Sequence, residues 1–234
     1  MNIRVFLGFD SNESVASHVL AHSIVRRSSV PVCITPMVLG QLPIFRHWVE
    51  YQSTEFSFSR FLVPYLCGYE GRAIFMDCDM LCRTDIKELW EMTDTGHAVS
   101  VVKHNYTPKE APKFLGYKQS VYEKKNWSSL MVFNNSMCKT LTPKMVNEAS
   151  GLYLHQFKWL QDESLIGEIP IDFNHLVGEY ASNPNAKIVH FTLGTPCFHK
   201  FANCEFSDEW YNEKNRMNHY NNIGEYSLEA RTGT

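Results

Sequence analysis

The sequence predicts an α/β fold in which a mainly parallel central sheet carries helices on both faces. The chain opens on IRVFLGF, a continuous apolar run of strand length without polar alternation, as a parallel strand buried on both faces requires. Strand-like and helix-like segments then alternate through the first half of the chain, the pattern of parallel βα units. The apolar segment AIFM runs straight into two aspartates, Asp77 and Asp79, separated by a single residue. Ligands of open parallel sheets sit beyond the carboxyl ends of the strands, so acidic residues at that point belong to a candidate site.

Taken in order, SNES offers Ser11 or Asn12 as an N-cap, and SVASHVLAHSIVRRSS follows with apolar residues at helical spacing. VPVCITPMVL is a β-branched strand that Pro31 and Pro36 push to a sheet edge. FSFSRFLVPYL has an apolar helical face, RAIFMD is the next strand, and TDIKELWEM is a short helix capped by Thr84 or Asp85. HAVSVVK adds a strand. The polar, proline-punctuated HNYTPKEAPKFLGYKQSVYEKKNWS is a long loop over the sheet, of the kind that serves as a lid or binding loop. SLMVFN returns to strand character, and TPKMVNEAS is a helix with Thr142 as cap and Pro143 in its first turn. LYLHQFKWLQDESLIGE continues helical, IPIDFNHLVG and AKIVHF are short strands, and the C-terminal stretch loses periodicity. The expected organisation is a single domain over residues 1–204, followed by a C-terminal helix and tail over 205–234. Within the domain, the alternating strands and helices of 1–102 form a nucleotide-fold half, and 103–204 form the second half.

Bulk properties narrow the partners. With 234 residues and 44% hydrophobic content the chain can bury a sizeable core. A net charge of -3 without a basic stripe argues against nucleic acid. No run approaches the ~20 apolar residues of a membrane span, and the N-terminus lacks a signal peptide's apolar region. Seven scattered cysteines, with no CxxC pair, read as reduced thiols of a cytoplasmic protein.

Asp77 and Asp79 can both face the strand ends while Cys78 points elsewhere. Two hard oxygen donors there suit Mg²⁺ or Mn²⁺ with positions left for substrate phosphates, although a polar strand terminus has the same look. AKIVHFTLG ends another strand at His190, whose neutral imidazole suits a third ligand position. Arg60, among Phe58, Phe61 and Leu62, is a candidate for phosphate binding through paired hydrogen bonds.

The stretch FSFSRFLVPYLCGYEGRAIFMDCDMLCRTDIKELWEM resembles the nucleotide-sugar core of family 8 glycosyltransferases, the group of glycogenin and the lipopolysaccharide galactosyltransferases. VFLGFDSNESVASHVLAHSI, NWSSLMVFN, LQDESLIGEIPIDFN and IVHFTLGTPCF follow the family's blocks in order, with SDEWYNE trailing as a tryptophan-containing helix. The resemblance implies a GT-A nucleotide-diphospho-sugar transferase fold and a retaining, metal-dependent hexosyltransferase. Its cofactor would be Mn²⁺ or Mg²⁺, and its donor a sugar nucleotide, with UDP favoured by family habit and GDP or another nucleotide as alternatives. By position, Asp77, Asp79 and His190 would hold the metal. Gly8, Phe9, Asp10 and Ser14 would surround the base and ribose. Arg60, Cys78 and Gly194 would lie along the donor, and Asn126, Ser129 and Asp162 would face the sugar. The resemblance makes Asp162, Arg60 and Asn126 the catalytic candidates.

The sequence departs from the pattern where Thr195 replaces the lysine before Pro196, with Lys200 or His199 as substitute charges, and where the usual Asp-Gln pair reads Asp162-Glu163. Acceptor recognition would fall to the loop from His104 to Lys125 and to the C-terminal tail. The loop's lysines and tyrosines suit an anionic glycan or a lipid headgroup, and equally a solvated loop face, so the acceptor, whether glycan, lipid-linked or protein, is not fixed by the sequence. Two other classes also accommodate a strand ending in DxD: a phosphohydrolase of haloacid-dehalogenase type, and a non-catalytic GT-A-like domain that only binds sugar nucleotides.

Overall fold

The computed structural model describes residues 2–46, 54–93, 95–106 and 122–218. Most of the long lysine-bearing loop and most of the C-terminal tail therefore lie outside the described residues. Six strands form the central sheet: β1 (Ile3–Gly8), β2 (Val32–Met37), β3 (Arg72–Met76), β5 (Val99–Val101), β6 (Leu130–Asn134) and β7 (Ile166–Glu168). Their order is β2-β1-β3-β6-β5-β7. β1 pairs in parallel with β2 and β3, and β5 with β7, while β6 runs antiparallel to β3 and β5. The proline-bearing β2 is an edge strand, where a missing N–H does least harm.

Period-two alternation divides the core between the two faces. Val5, Leu7, Ile74, Met76, Leu130 and Val132 pack on one face with Leu20 and Ile24 of α1 (Ser14–Arg27). Ile86 and Leu89 of the short α3 (Ile86–Met92) join them. Phe6, Phe75, Met131 and Phe133 pack on the other face with Phe56, Phe61 and Leu62. Val63 of α2 (Val63–Leu66), Val146 of α4 (Pro143–Glu148) and Leu154 of α5 (Gly151–His155) complete that layer.

A second sheet of three short strands has the order β4-β9-β8, from β4 (Met80–Cys82), β8 (His175–Leu176) and β9 (Ile188–His190). The antiparallel register of β4 and β9 sets Met80 opposite His190. The C-terminal helix α6 (Ser207–Met217) packs on α1 through buried Trp210 beside Val19, Leu81 and Val189. Among the described residues no helix is long and apolar enough to cross a membrane.

Three segments differ from the expectation. LYLHQFKWLQDESLIGE is not one helix: α5 ends at His155, Phe157 turns at φ 59°, and β7 follows at Ile166. Burial of Phe157 and Trp159 and the pairing of β7 with β5 outweigh helical spacing there. FSFSRFLVPYL is a 3-10 turn over Ser59–Leu62 leading into the four-residue α2. In IPIDFNHLVG, a 3-10 turn over Ile171–Phe173 leaves only His175–Leu176 as strand.

The α1–α6 contact contains a buried carboxylate. Glu213, 2% exposed, meets His22 Nδ1 at 2.6 Å, Arg26 Nη2 at 3.0 Å and Arg27 Nη1 at 2.8 Å. Burial alone would raise the Glu213 carboxyl, but hydrogen bonds from Arg26, Arg27 and His22, with the Arg27 charge, bring it down to about 2. Arg26, Arg27 and His22 are partly exposed and can be solvated when the carboxylate is removed, so its loss costs about 1.5–3 kcal/mol, the value of hydrogen bonds to a charged group. Glu213→Ala should lower the unfolding free energy at pH 7 by roughly that amount, measured by urea denaturation. Because the folded-state value is depressed, the wild-type advantage is full above the ordinary glutamate value of 4.5 and is lost as pH falls toward about 2. An unchanged gap between wild type and variant at pH 2 would contradict this assignment.

Candidate active site

The candidate site lies where β3 gives way to β4. Asp77 N–H donates to Ser129 O at 2.8 Å, extending the β3–β6 pairing by one residue beyond Met76. The Asp77 carboxylate then meets Arg60 Nη1 at 2.8 Å. Arg60 is itself buried. Its Nη1 also donates to Ser128 O at 2.9 Å, and its guanidinium lies 5.2 Å from the ring centroids of both Phe56 and Phe75. It is thus tied to the first aspartate and to backbone, rather than standing as a separate clamp. Cys78 is fully buried and donates to Glu13 Oε1 at 3.6 Å, away from the two carboxylates.

Asp79 belongs to the second sheet. Its carbonyl accepts from Phe191 N at 2.8 Å, and its Oδ1 lies 3.2 Å from His190 Nε2. The hydrogen bonds behind His190 run in a single direction. Ser129 Oγ donates to Asn126 O at 2.6 Å, a carbonyl that can only accept. Asn174 Nδ2 must therefore donate to Ser129 Oγ, which it does at 2.8 Å. That orients Asn174 Oδ1 toward His190 Nδ1 at 3.0 Å, so Nδ1 carries the proton. Nε2 then faces the Asp79 carboxylate at a separation that demands a positive charge there, either a proton on Nε2 or a metal ion held by both groups.

The donor set meets that demand. Ligand atoms of Asp77, Asp79 and His190 all lie within 4.8 Å of one another, and two carboxylates with one imidazole fit a divalent ion such as Mn²⁺ or Mg²⁺. Asn174 holds His190 by the kind of outer hydrogen bond that orients a histidine wherever one binds metal. Glu13, 2% exposed, lies behind the aspartates and also accepts from Thr195 Oγ1 at 3.4 Å. Burial, followed by the Asp79 and Asp10 charges, raises the Glu13 carboxyl well above its usual range.

The remaining sequence-derived candidates are placed as follows. Gly8 ends β1 against the Phe56 ring, and a Cβ there would meet ring carbons at 2.7 Å. Phe9 is half-buried and Asp10 buried. Asp10 accepts from Asn12 N at 2.9 Å and from Glu55 N at 3.1 Å, bracing the turn that leads to Ser14 at the start of α1. Asn126, in the left-handed conformation at φ 63°, donates to Tyr106 Oη at 2.7 Å. Gly194 adopts φ 151° and donates to Phe191 O at 2.7 Å. Asp162 is exposed, and its Oδ1 accepts from Ser164 N at 2.8 Å. That backbone hydrogen bond, followed by the contact with the Ser164 side chain, lowers its carboxyl. Lys200 is exposed, with its ammonium 5.3 Å from the Phe201 ring centroid.

The structure thus brings Arg60, Asp77, Asp79, Ser129 and His190 into one contiguous network. No described hydrogen bond joins Asp162 or Lys200 to it. Sequence reasoning did not select Asn174 or Glu13. Asn174 closes the block LQDESLIGEIPIDFN, which marked its position, whereas nothing local distinguishes Glu13 from a helix-start acid.

Comparison with known proteins agrees with this geometry. Residues 50–139, which include the aspartates, match the model of glycosyl transferase family 8. Protein CDI of Arabidopsis thaliana is 45% identical over 229 residues, covering 93% of this chain and 88% of that protein. Among solved structures, the galactosyltransferase LgtC in complex with donor and acceptor sugar analogs superposes with a TM-score of 0.54 at 10% identity, over 92% of this chain and 96% of that one. Apo GlyE of Streptococcus pneumoniae TIGR4 gives 0.59 at 12% identity over 92% of this chain, and the bifunctional WbbM gives 0.58 at 13% over 91%. This chain spans 60% of GlyE and 51% of WbbM. The structural likenesses establish the GT-A fold, and the phosphohydrolase and binding-only alternatives give way to the family match. A strand ending in the acidic pair, the histidine brought back to it by β9 and a relative close along nearly the whole chain lead to one conclusion: the protein is a glycosyltransferase of family 8 with a GT-A fold.

Proposed function

We propose that the enzyme transfers a hexose, with retention of anomeric configuration, from a nucleotide-diphosphate sugar to a hydroxyl acceptor such as a glycan, with UDP-sugar the favoured donor. The observation that carries the metal-dependent part is the one-way hydrogen-bond chain that leaves His190 Nε2 facing Asp79. In this reading Asp77, Asp79 and His190 hold Mn²⁺ or Mg²⁺, and the free thiols support a cytoplasmic location. A bound divalent ion supplies Lewis-acid stabilisation of the charge that grows on the leaving diphosphate, a contribution of several kcal/mol.

The protein's own groups prepare the remainder. Arg60 fixes the Asp77 carboxylate from beneath, so that it need not reorganise when the donor arrives. Gly8, Phe9, Asp10 and Ser14 form the turn assigned to base and ribose, and Asn126 and Ser129 stand at the sugar end. Gly194 allows backbone to come close to the diphosphate. The C1–O bond to the diphosphate breaks as the acceptor oxygen bonds C1 on the same face, and the acceptor proton passes to the departing phosphate oxygen. The exposed, capped Asp162 supports this route over a double displacement through that carboxylate, and leaves it a role in orienting the sugar.

Thermal unfolding against UDP, GDP, CDP, TDP and ADP, each with and without Mn²⁺, tests the reading. A ligand at one hundred times its dissociation constant stabilises by about 2.7 kcal/mol. One nucleotide should raise the melting temperature only when metal is present. Asp79→Ala should abolish that shift and reduce donor turnover on the order of 10²–10³-fold with the fold intact by circular dichroism; a fully active variant would sink the assignment. Asn174→Ala, which frees His190 to rotate, should weaken Mn²⁺ binding by about 10–100-fold in a calorimetric titration. An unaltered Mn²⁺ affinity would count against the orienting role of Asn174.

A further inference from the structure

Behind the acidic pair lies a carboxyl that local structure does not account for. Glu13 is 2% exposed at the start of α1, yet its side chain makes no capping hydrogen bond to that helix. Taking a carboxyl out of water is costly unless hydrogen bonds replace those of the solvent. The two oxygens are directed instead to two distant segments. Oε1 accepts from Cys78 Sγ at 3.6 Å and Oε2 from Thr195 Oγ1 at 3.4 Å, partners 65 and 182 residues away along the chain. Both partners are fully buried. With the Thr195 proton turned to Glu13, the Cys197 thiol 2.9 Å away donates to Thr195 Oγ1 in its turn.

Each partner belongs to a segment of the candidate site. Cys78 is the middle residue of the turn that carries Asp77 and Asp79, and its side chain points backward, so it is where that turn is anchored from behind. Thr195 follows Gly194 in the loop after β9, whose backbone is assigned to the donor diphosphate. Glu13 itself closes the turn that begins at Gly8, through its N–H to Asp10 O at 3.1 Å. Other contacts hold the two ends of the β9 loop: Phe191 N–H donates to Asp79 O at 2.8 Å, and Tyr211 Oη donates to Pro196 O at 2.6 Å. The loop is therefore attached without Glu13. What the Glu13 contact adds is a fixed position for the middle of the loop, beside Gly194.

We propose that Glu13 is a positioning residue for donor binding: its carboxyl ties the Gly194 loop to the acidic turn, so that the groups assigned to the diphosphate and to the metal keep one spacing. The inference rests on the transferase reading above. A diphosphate that spans a metal ion and a backbone loop binds best when both already stand at the right separation, because binding then does not have to supply their ordering. Thr195 carries the constraint on the loop side and Cys78 on the side of the aspartates.

Calorimetric titration separates the two sides. Mn²⁺ is titrated alone, and then UDP, or whichever of GDP, CDP, TDP and ADP binds the wild type, at saturating Mn²⁺. Thr195→Val removes the hydroxyl and keeps the shape. It should weaken nucleotide binding by about tenfold, the equivalent of 1.4 kcal/mol, and leave the affinity for Mn²⁺ alone within about threefold. Glu13→Ala should weaken both, since it releases Cys78 as well. Glu13→Gln should stay nearer to wild type for both, because its amide accepts from Cys78 and donates to Thr195, whose hydroxyl then turns to Cys197. In the Glu13→Ala background Thr195→Val should add less than about twofold, since two changes that break one contact are not additive. A Thr195→Val protein that binds nucleotide as tightly as wild type overturns the proposal, and this variant decides the matter if Glu13→Ala does not fold. Fully additive losses in the double variant overturn it too. A wild type that binds Mn²⁺ but none of the five nucleotides would instead overturn the transferase reading, and the proposal with it.

Discussion

His190 Nε2 and the Asp79 carboxylate stand 3.2 Å apart, and the hydrogen bonds around them hold them in that contact. Neither can turn away. His190 is held by Asn174, Asn174 by Ser129, and Ser129 by the carbonyl of Asn126, whose backbone adopts a left-handed conformation that asparagine tolerates better than most residues. Asp79 is held by the ladder between β4 and β9, which fixes its carbonyl against Phe191 N. Side chains held this way are ordered in advance, so a ligand that binds them does not have to supply that ordering.

The first aspartate is treated differently from the second. Asp77 terminates the large sheet and is matched by buried Arg60, while Asp79 starts the small sheet and is matched by His190. The two sheets therefore meet in a single turn, with Cys78 pointing back to Glu13 between them. Glu13 also receives Thr195, the residue that stands where family 8 proteins keep a lysine. Here that side chain is fully buried and serves the packing of three loops, from β1, from β3 and from β9, against one carboxyl. Lys200, by contrast, lies exposed above Phe201.

Much of the frame was legible in the chain. β1, β3 and β6 are short apolar runs bounded by polar turns, α1 has helical spacing, and Pro36 marked the edge strand. Each rests on interactions within a few residues or on the burial of one continuous segment. The segments that misled were those where local and tertiary preferences diverge. The stretch from Leu152 to Glu168 has helical spacing, yet Phe157 and Trp159 are more effectively buried in a turn, and Ile166 is needed as the partner of Val99. In the site, Asp77, Asp79 and His190 stood out because strand-end chemistry is local. Asn174 and Glu13 did not, since their partners lie 16, 45, 65 and 182 residues away.

Sequence alone determined the class of fold and the acidic pair at the end of β3, because strand periodicity and strand-end residues are properties of neighbouring positions. Tertiary structure decided which nitrogen of His190 faces the pair, that Arg60 is spent on Asp77, and that Asp162 is a surface cap. Those outcomes depend on the direction of hydrogen bonds and on burial between segments far apart in the chain, which a linear pattern does not encode.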